Sequence, residues 1–254
     1  MLNDLKFDGE PVIVTGGGSG IGQACCEALG ELGATVIAVG RTDAKLKETE
    51  ALLHGKGARC AWFVADVGDE AQVESLRQEV ERRWGHVKAV INNAGDNFVK
   101  PIDELQTETW RKIVAVDLDS VFYMCRAFIP LLLKAPKPSI LNVASTFAVI
   151  GSAKMPVYCA AKGGVVSLTR QMAVDYGPKG LRVNSLCPGP TLSPRVKGYF
   201  DRGLVPRAPV EEMVLLKRLA ECHEIANVAA FLVSDAASFV HGTAVVVDGG
   251  QTIH

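Results

Sequence analysis

The sequence has no Cys-x-x-Cys pair, no His-x-x-x-His pair and only five histidines scattered over 254 residues. Zinc and most transition metals need clustered nitrogen or sulfur donors, so no metal centre is expected. Charge of one sign is lacking too. Lys and Arg number 27 against 28 Asp and Glu, a formal charge of −1, so no global field draws in nucleic acid or anionic lipid. The opening Met1-Leu2-Asn3-Asp4-Leu5-Lys6 has no basic stretch leading into an apolar run, so no secretory signal is read and a cytoplasmic location is expected. The most apolar long segment, Ile113 to Leu133, is interrupted by Asp117, Asp119, Arg126 and Pro130. That argues against a membrane span and for a buried helix. No Pro/Gly/Ser-rich linker, internal repeat or low-complexity tract divides the chain, and one domain over residues 1–254 is expected.

What is present is apolar and regularly patterned. Hydrophobic residues make up 48% of the chain, enough for a sizeable core. The seven cysteines (Cys25, Cys26, Cys60, Cys125, Cys159, Cys187, Cys222) form an odd set spread through apolar sequence, which suits a reducing compartment and small core residues. Short β-branched runs read as strands near Val12–Val14, Thr35–Val39, Cys60–Val64, Lys88–Ile91, Ser139–Val143, Arg182–Leu186 and Ala244–Val247. Helices fill the intervals, notably Gly20–Leu32, Glu70–Trp84, Glu108–Leu133, Val157–Tyr176 and Glu224–Ser234. Strands alternating with helices predict an α/β fold with a mainly parallel sheet covered on both faces. Pro188 to Glu212 carries five of the twelve prolines and is the least regular section, so a functional lid at about 188–216, with short helices of its own, is expected.

After the first strand comes Thr15-Gly16-Gly17-Gly18-Ser19-Gly20-Ile21-Gly22, and a helix begins there. Glycines in that place permit a tight turn and let backbone N–H groups approach a pyrophosphate. The run satisfies no Gly-x-Gly-x-x-Gly frame; it reads Thr-Gly-x-x-x-Gly-x-Gly through Gly16, Gly20 and Gly22. The second strand ends Val39-Gly40-Arg41-Thr42, with no carboxylate before Asp43 to accept from ribose hydroxyls. Arg41 offers a planar cation suited to a 2′-phosphate, which favours NADP, with NAD possible. Asp66-Val67, past the third strand, is placed to meet the adenine edge.

Tyr158 and Lys162 stand four residues apart, one turn of a helix, on one face. A nearby cation favours the charged form of a phenol. At roughly 4 Å and an effective dielectric near 20, one charge is worth about 4 kcal/mol, or about 3 pK units, which predicts a Tyr158 pKa drawn from near 10 towards 7.

Several further motifs occur in order: Asn92-Asn93-Ala94-Gly95 after the fourth strand, Ser145 after the fifth, Arg182-Val183-Asn184 ahead of Pro188-Gly189, and Val247-Asp248-Gly249-Gly250 near the end. With these, the chain resembles the short-chain dehydrogenase/reductase family over nearly its whole length. The resemblance implies a Rossmann-like, doubly wound sheet of seven strands in a single domain. It also implies a nicotinamide cofactor held by Gly16, Gly18, Ser19, Gly20, Ile21, Gly22, Arg41, Asp66, Val67, Asn93, Ala94, Gly95, Tyr158, Lys162, Pro188, Gly189 and Thr191. The implied reaction interconverts a ketone and a secondary alcohol. Tyr158 exchanges the proton, Lys162 lowers the phenol's pKa and binds nicotinamide-ribose hydroxyls, and Ser145 donates a hydrogen bond to the substrate oxygen. A homotetramer is implied as well, and the helices Glu108–Leu133 and Val157–Tyr176 are apolar over much of their circumference, as subunit contacts require.

Two departures from the family pattern stand out. An asparagine usually falls seven residues past a tryptophan-type position, holding a water that relays protons from the lysine; here Trp110 is followed at that spacing by Asp117. The oxygen acceptor is kept, the amide donor is lost and a negative charge is placed beside Lys162. At Cys222-His223-Glu224 a proline commonly starts the last helix, and a capping variation without chemistry is expected. A 3-oxoacyl-thioester (acyl carrier protein) reductase of the same family and a non-catalytic nucleotide-binding regulator on the same scaffold are the alternatives. Retention of Ser145, Tyr158 and Lys162 argues for catalysis. The substrate pocket is expected near Asp96-Asn97, Thr146-Phe147, Ser152, Met155 and Gly189 to Arg195. Arg195, Lys197, Arg202 and Arg207 form either a solvated face or an attraction for an acidic substrate.

Overall fold

In the computed structural model, which describes residues 3–253, Val12, Ile13 and Val14 have no exposed surface. Met1 and Leu2, part of the segment read for a secretory signal, lie with His254 outside the described residues. Burial on both faces is what a central parallel strand requires, and these three residues lie in β1 (Pro11–Thr15). Each of the first six strands is followed by a helix, the first half running α1 (Gly20–Glu31), β2 (Thr35–Gly40), α2 (Asp43–Gly55), β3 (Arg59–Val64), α3 (Glu70–Trp84) and β4 (Ala89–Asn92). The second half runs α4 (Thr107–Val114), α5 (Ser120–Leu132), β5 (Ser139–Val143), α6 (Pro156–Tyr176), β6 (Arg182–Pro188), α7 (Pro194–Asp201), α8 (Arg207–Glu212), α9 (Cys222–Val233) and β7 (Ala244–Val247).

All seven strands are parallel, in the order β3-β2-β1-β4-β5-β6-β7. This is the Rossmann-like doubly wound sheet. The order reverses between β1 and β4, so their following loops diverge and leave a crevice at the carboxyl edge. Successive strand residues face opposite layers. Val12 and Val14 pack with Cys25 and Leu29 of α1 and Ile225 of α9, while Ile13 packs with the layer holding Val73 of α3, Met124 of α5 and Val165 of α6.

The helix expected over Glu108–Leu133 is not continuous. A π-helical stretch, Ala115–Asp119, separates α4 from α5. Such a wide turn inserts a residue into the α-helical ladder, and such insertions are frequent at functional sites. Here it carries a fully buried Asp117. The helix expected at Glu224 begins at Cys222, where the Glu224 carboxylate accepts from Glu221 N at 2.8 Å and caps the first turn.

Polar groups hold the sheet to α6. Asn92 Nδ2 donates to Asn142 Oδ1 at 2.9 Å, Asn142 Nδ2 to Thr169 Oγ1 at 2.9 Å, and Thr169 Oγ1 to Val165 O at 2.8 Å. In a low-dielectric interior this chain fixes β4, β5 and α6 in register. Arg182 similarly donates to Leu232 O and Ser234 O, tying β6 to the end of α9.

Candidate active site

β5 leads into Ser145, which caps a short 3-10 turn and accepts from Phe147 N at 3.1 Å. α6 starts with Pro156 in its first turn, where its missing N–H leaves no bond unmade, and presents Tyr158 and Lys162 one turn apart. The Phe147 ring meets Tyr158 edge to face, with centroids 6.5 Å apart. Lys162 Nζ lies 5.8 Å from the centre of the Tyr158 ring, donates to Val143 O at 3.1 Å and stands 3.3 Å from Asp117 Oδ1. Ser145, Tyr158, Lys162 and Asp117 are thus brought together from β5, α6 and the π-helical stretch.

Asp117 Oδ1 also accepts from Asp96 N at 3.1 Å, while its Oδ2 is buried with no partner. A Cβ on Gly95 would lie 2.5 Å from Asp117 Oδ1 and 3.3 Å from Lys162 Nζ, so the ion pair needs glycine there. Burial lifts the Asp117 carboxyl above its usual range, against the pull of Lys162. Burial works to lower Lys162, but the charges of Asp117 and Tyr158 outweigh it and hold the ammonium above its ordinary value. Tyr158 is raised, first by burial and further by Asp117, against the opposing pull of Lys162, a hydrogen bond with Ser145 and the charge of Arg195. The expected descent towards 7 is therefore corrected. Desolvation of the phenol outweighs a cation whose charge Asp117 partly cancels.

Gly16, Gly18, Ser19, Arg41, Asp66, Val67, Ala94 and Gly95 line one cleft above the crevice, together with Thr42, Lys45, Val116 and Arg195. Gly16 and Gly20 have φ of +68° and +58°, and a Cβ on Gly22 would run into Gly16 O and the Asn93 side chain. Asn93 Nδ2 donates to Thr15 O at 3.0 Å, holding the loop after β4 against the glycine loop. Ile21, in the first turn of α1, packs against the core. Arg41 is exposed at the rim with its guanidinium 3.9 Å from Asp66, whose other oxygen accepts from Gly68 N at 3.0 Å. Across the crevice Gly189 N donates to Val247 O at 3.0 Å, continuing the pairing of Pro188 with Val247. Thr191 is buried and turns its hydroxyl back to Gly189 O at 3.0 Å. Ser193, not singled out in the sequence, instead faces the glycine loop, its Cβ 3.4 Å from where a Cβ on Gly20 would lie.

Residues 16–252 match the family model described as enoyl-(acyl carrier protein) reductase. Meso-2,3-butanediol dehydrogenase of Serratia marcescens is 37% identical over 248 residues, spanning 98% of this chain and 96% of the relative. The chain belongs to the short-chain dehydrogenase/reductase family. D-threitol dehydrogenase of Mycolicibacterium smegmatis is 34% identical over 251 residues, covering 98% of this chain and 95% of that one. Among solved structures, L-sorbose reductase of Gluconobacter frateurii, complexed with NADPH and L-sorbose, superposes with a TM-score of 0.94 at 26% identity over 99% of each chain.

As a member of this family the chain is an oxidoreductase that uses a nicotinamide dinucleotide, and its own residues fit that cofactor. The side-chain-free glycine loop opens the N-terminus of α1 to a pyrophosphate, and Arg41 and Lys45 put two cations at the end of the cleft where Asp66 lies. Lys45 follows Arg41 at a helical spacing across the start of α2, a helix not singled out in the sequence. Arg195 came from the lid as one of four basic residues without a place. Its Nη2 donates to Gly95 O at 3.2 Å and its Nη1 pairs with Asp96 Oδ1 at 3.2 Å. Thr146, expected in the substrate pocket, is buried and donates to Gln251 Oε1 at 2.9 Å. No group of metal-ligating side chains occurs among the described residues, and no helix of the described chain is long and apolar enough to cross a membrane.

Proposed function

We propose that the chain interconverts a small hydroxylated ketone and the matching secondary alcohol with NADP(H) as preferred cofactor, Tyr158 exchanging the proton at the substrate oxygen. The gathering of Ser145, Tyr158 and Lys162 beside the glycine-loop cleft carries this reading. The cofactor supplies or accepts the hydride. Tyr158 gives its hydroxyl proton to the carbonyl oxygen in reduction and takes it back in oxidation. Ser145 donates a hydrogen bond to the same oxygen, and Lys162, fixed by Val143 O, holds the ribose hydroxyls of the cofactor. Behind it, the unpartnered Asp117 Oδ2 offers an acceptor for a water that carries protons away from Lys162. Arg41 and Lys45 hold the 2′-phosphate. The remaining contacts with the dinucleotide come from Gly16, Gly18, Ser19, Gly20, Ile21, Gly22, Asp66, Val67, Asn93, Ala94, Gly95, Pro188 and Gly189. Thr191 acts from behind Gly189, shaping the backbone there.

Asp96, Asn97, Arg195 and Tyr199 make a polar rim at the mouth of the site, with Tyr199 Oη donating to Asn97 Oδ1 at 3.2 Å. That polarity, with the butanediol, threitol and sorbose activities of relatives, supports a substrate bearing a second hydroxyl next to the reacting carbon. Residues 188–216 act as its lid. Two contacts from α7, Arg195 to Asp96 and Tyr199 to Asn97, support this. A homotetramer accounts for Phe122 on α5 and Val174 on α6, 45% and 76% exposed on helices whose other large apolar side chains are buried or half-buried. The unpaired thiols of all seven cysteines suit a cytoplasmic setting. NADPH and NADH oxidation measured against diketones, hydroxyketones, ketoses and simple cyclic ketones tests the assignment. NADPH-dependent turnover of the hydroxylated set is expected, and absence of turnover across the panel contradicts it.

A further inference from the structure

Lys162 Nζ stands between two groups of opposite consequence. On one side is the fully buried Asp117 carboxylate at 3.3 Å, and on the other the Tyr158 ring, whose centre is 5.8 Å away. A cation this close to a carboxylate offers a phenolate less net field than an isolated cation. The surroundings are built to keep the carboxylate where it is. The π-helical stretch turns it inward, Asp96 N donates to its Oδ1, and Gly95 leaves room that any side chain would fill.

We propose that Asp117 is a positioning residue that neutralises Lys162 and so holds Tyr158 as the protonated phenol through neutral pH, setting the site to give a proton to a carbonyl. This deepens the reading of Tyr158 as acid-base group and rests on it. The overall equilibrium is untouched; what Asp117 sets is the pH range in which the phenol persists and reduction runs. Besides Asp117, the titratable groups facing the pair among the described residues include Asp96, Arg195 and the Cys187 thiol, which burial pushes up and so keeps uncharged. Tyr158 shares α6 with Lys162. Asp96, on the loop after β4, is paired with Arg195 of α7 at 3.2 Å, which weakens the pull of Arg195 on Tyr158 and Lys162. Among the described residues, Asp117 is the only carboxylate in ion-pairing range of Lys162. The upward shift of Tyr158, to which burial and Asp117 both contribute, runs in the same direction.

The test is an ultraviolet difference titration of phenolate formation in the cofactor-free protein, comparing the parent, Asp117→Asn and Tyr158→Phe. The chain has four tyrosines, so the step that vanishes in Tyr158→Phe belongs to Tyr158. The asparagine keeps the shape and the acceptor for Asp96 N while removing the charge. It should bring the Tyr158 step down by about one pH unit or more. If that variant does not fold, Asp117→Ser is read in the same way. A step unmoved or moved upward in a folded, uncharged variant overturns the proposal. In an alcohol-oxidation assay the rising limb of kcat/KM should move to lower pH in the same variant. A moving titration in a protein without carbonyl or alcohol turnover would sink the functional reading alone; an unmoved one in an active enzyme would sink the role of Asp117 alone.

Discussion

Thr15 and Asn93, 78 residues apart, hold each other across the crevice. Thr15 Oγ1 accepts from Asn93 N at 2.9 Å and from Ala94 N at 3.0 Å, and Asn93 Nδ2 donates back to Thr15 O at 3.0 Å. The last residue of β1 thereby sets the loop after β4. Thr15→Val keeps the shape and leaves two N–H groups without acceptors. A loss of about 1–3 kcal/mol in urea unfolding is expected. Cofactor affinity should fall alongside it in a fluorescence titration; unchanged stability and affinity would show that the two loops are held by other means.

Arg41 is half exposed, and Asp66 at 3.9 Å is too distant and too well hydrated to hold it firmly. It is free to engage a 2′-phosphate. Arg41→Ala should weaken NADP binding by about 1.5–3 kcal/mol, roughly ten- to a hundredfold, and leave NAD binding nearly unchanged. Dissociation constants for both cofactors on both proteins check this, and equal losses would remove the assignment.

The proton path is tested at Asp117 by pairing two substitutions. Asp117→Asn should keep substantial turnover, because an oxygen acceptor remains. Asp117→Leu should lose activity while its thermal melt stays cooperative. Parental rates in a folded leucine variant would show that no proton passes this position.

Gly95→Ala separates packing from chemistry. The added methyl meets Asp117 Oδ1 and Lys162 Nζ, both buried and unable to retreat into solvent. A fall in turnover exceeding the fall in stability is expected from steady-state rates and a melt measured together. An alanine variant as active as the parent would show that the ion pair can shift without consequence.

Much of this architecture was legible from the chain. Ser139–Val143 and Ala244–Val247 appear as strands with the expected bounds, because β-branched runs flanked by polar residues have few other uses in an α/β protein. Tyr158 and Lys162 met because helical spacing alone puts them on one face. The π-helical stretch stayed hidden, since one inserted residue leaves the apolar pattern of Ile113–Leu132 nearly intact. So did the direction of the Tyr158 shift, which depends on burial and on a carboxylate 45 positions before Lys162 in sequence and 3.3 Å from it in space. Ser193 and Arg195 were unreadable as individuals for the same reason: their reach into the cleft depends on where α7 lies.

The most direct measurement is turnover of Tyr158→Phe beside its cofactor affinity. The substitution removes one hydroxyl and keeps the ring that meets Phe147 edge to face, so folding and NADP binding should persist. Proton exchange at the substrate oxygen should not. A fall in kcat of about 10²–10⁴-fold or more, with a dissociation constant within a few-fold of the parent, is the predicted result. A phenylalanine variant that turns over within a few-fold of the parent would contradict Tyr158 as the acid-base group.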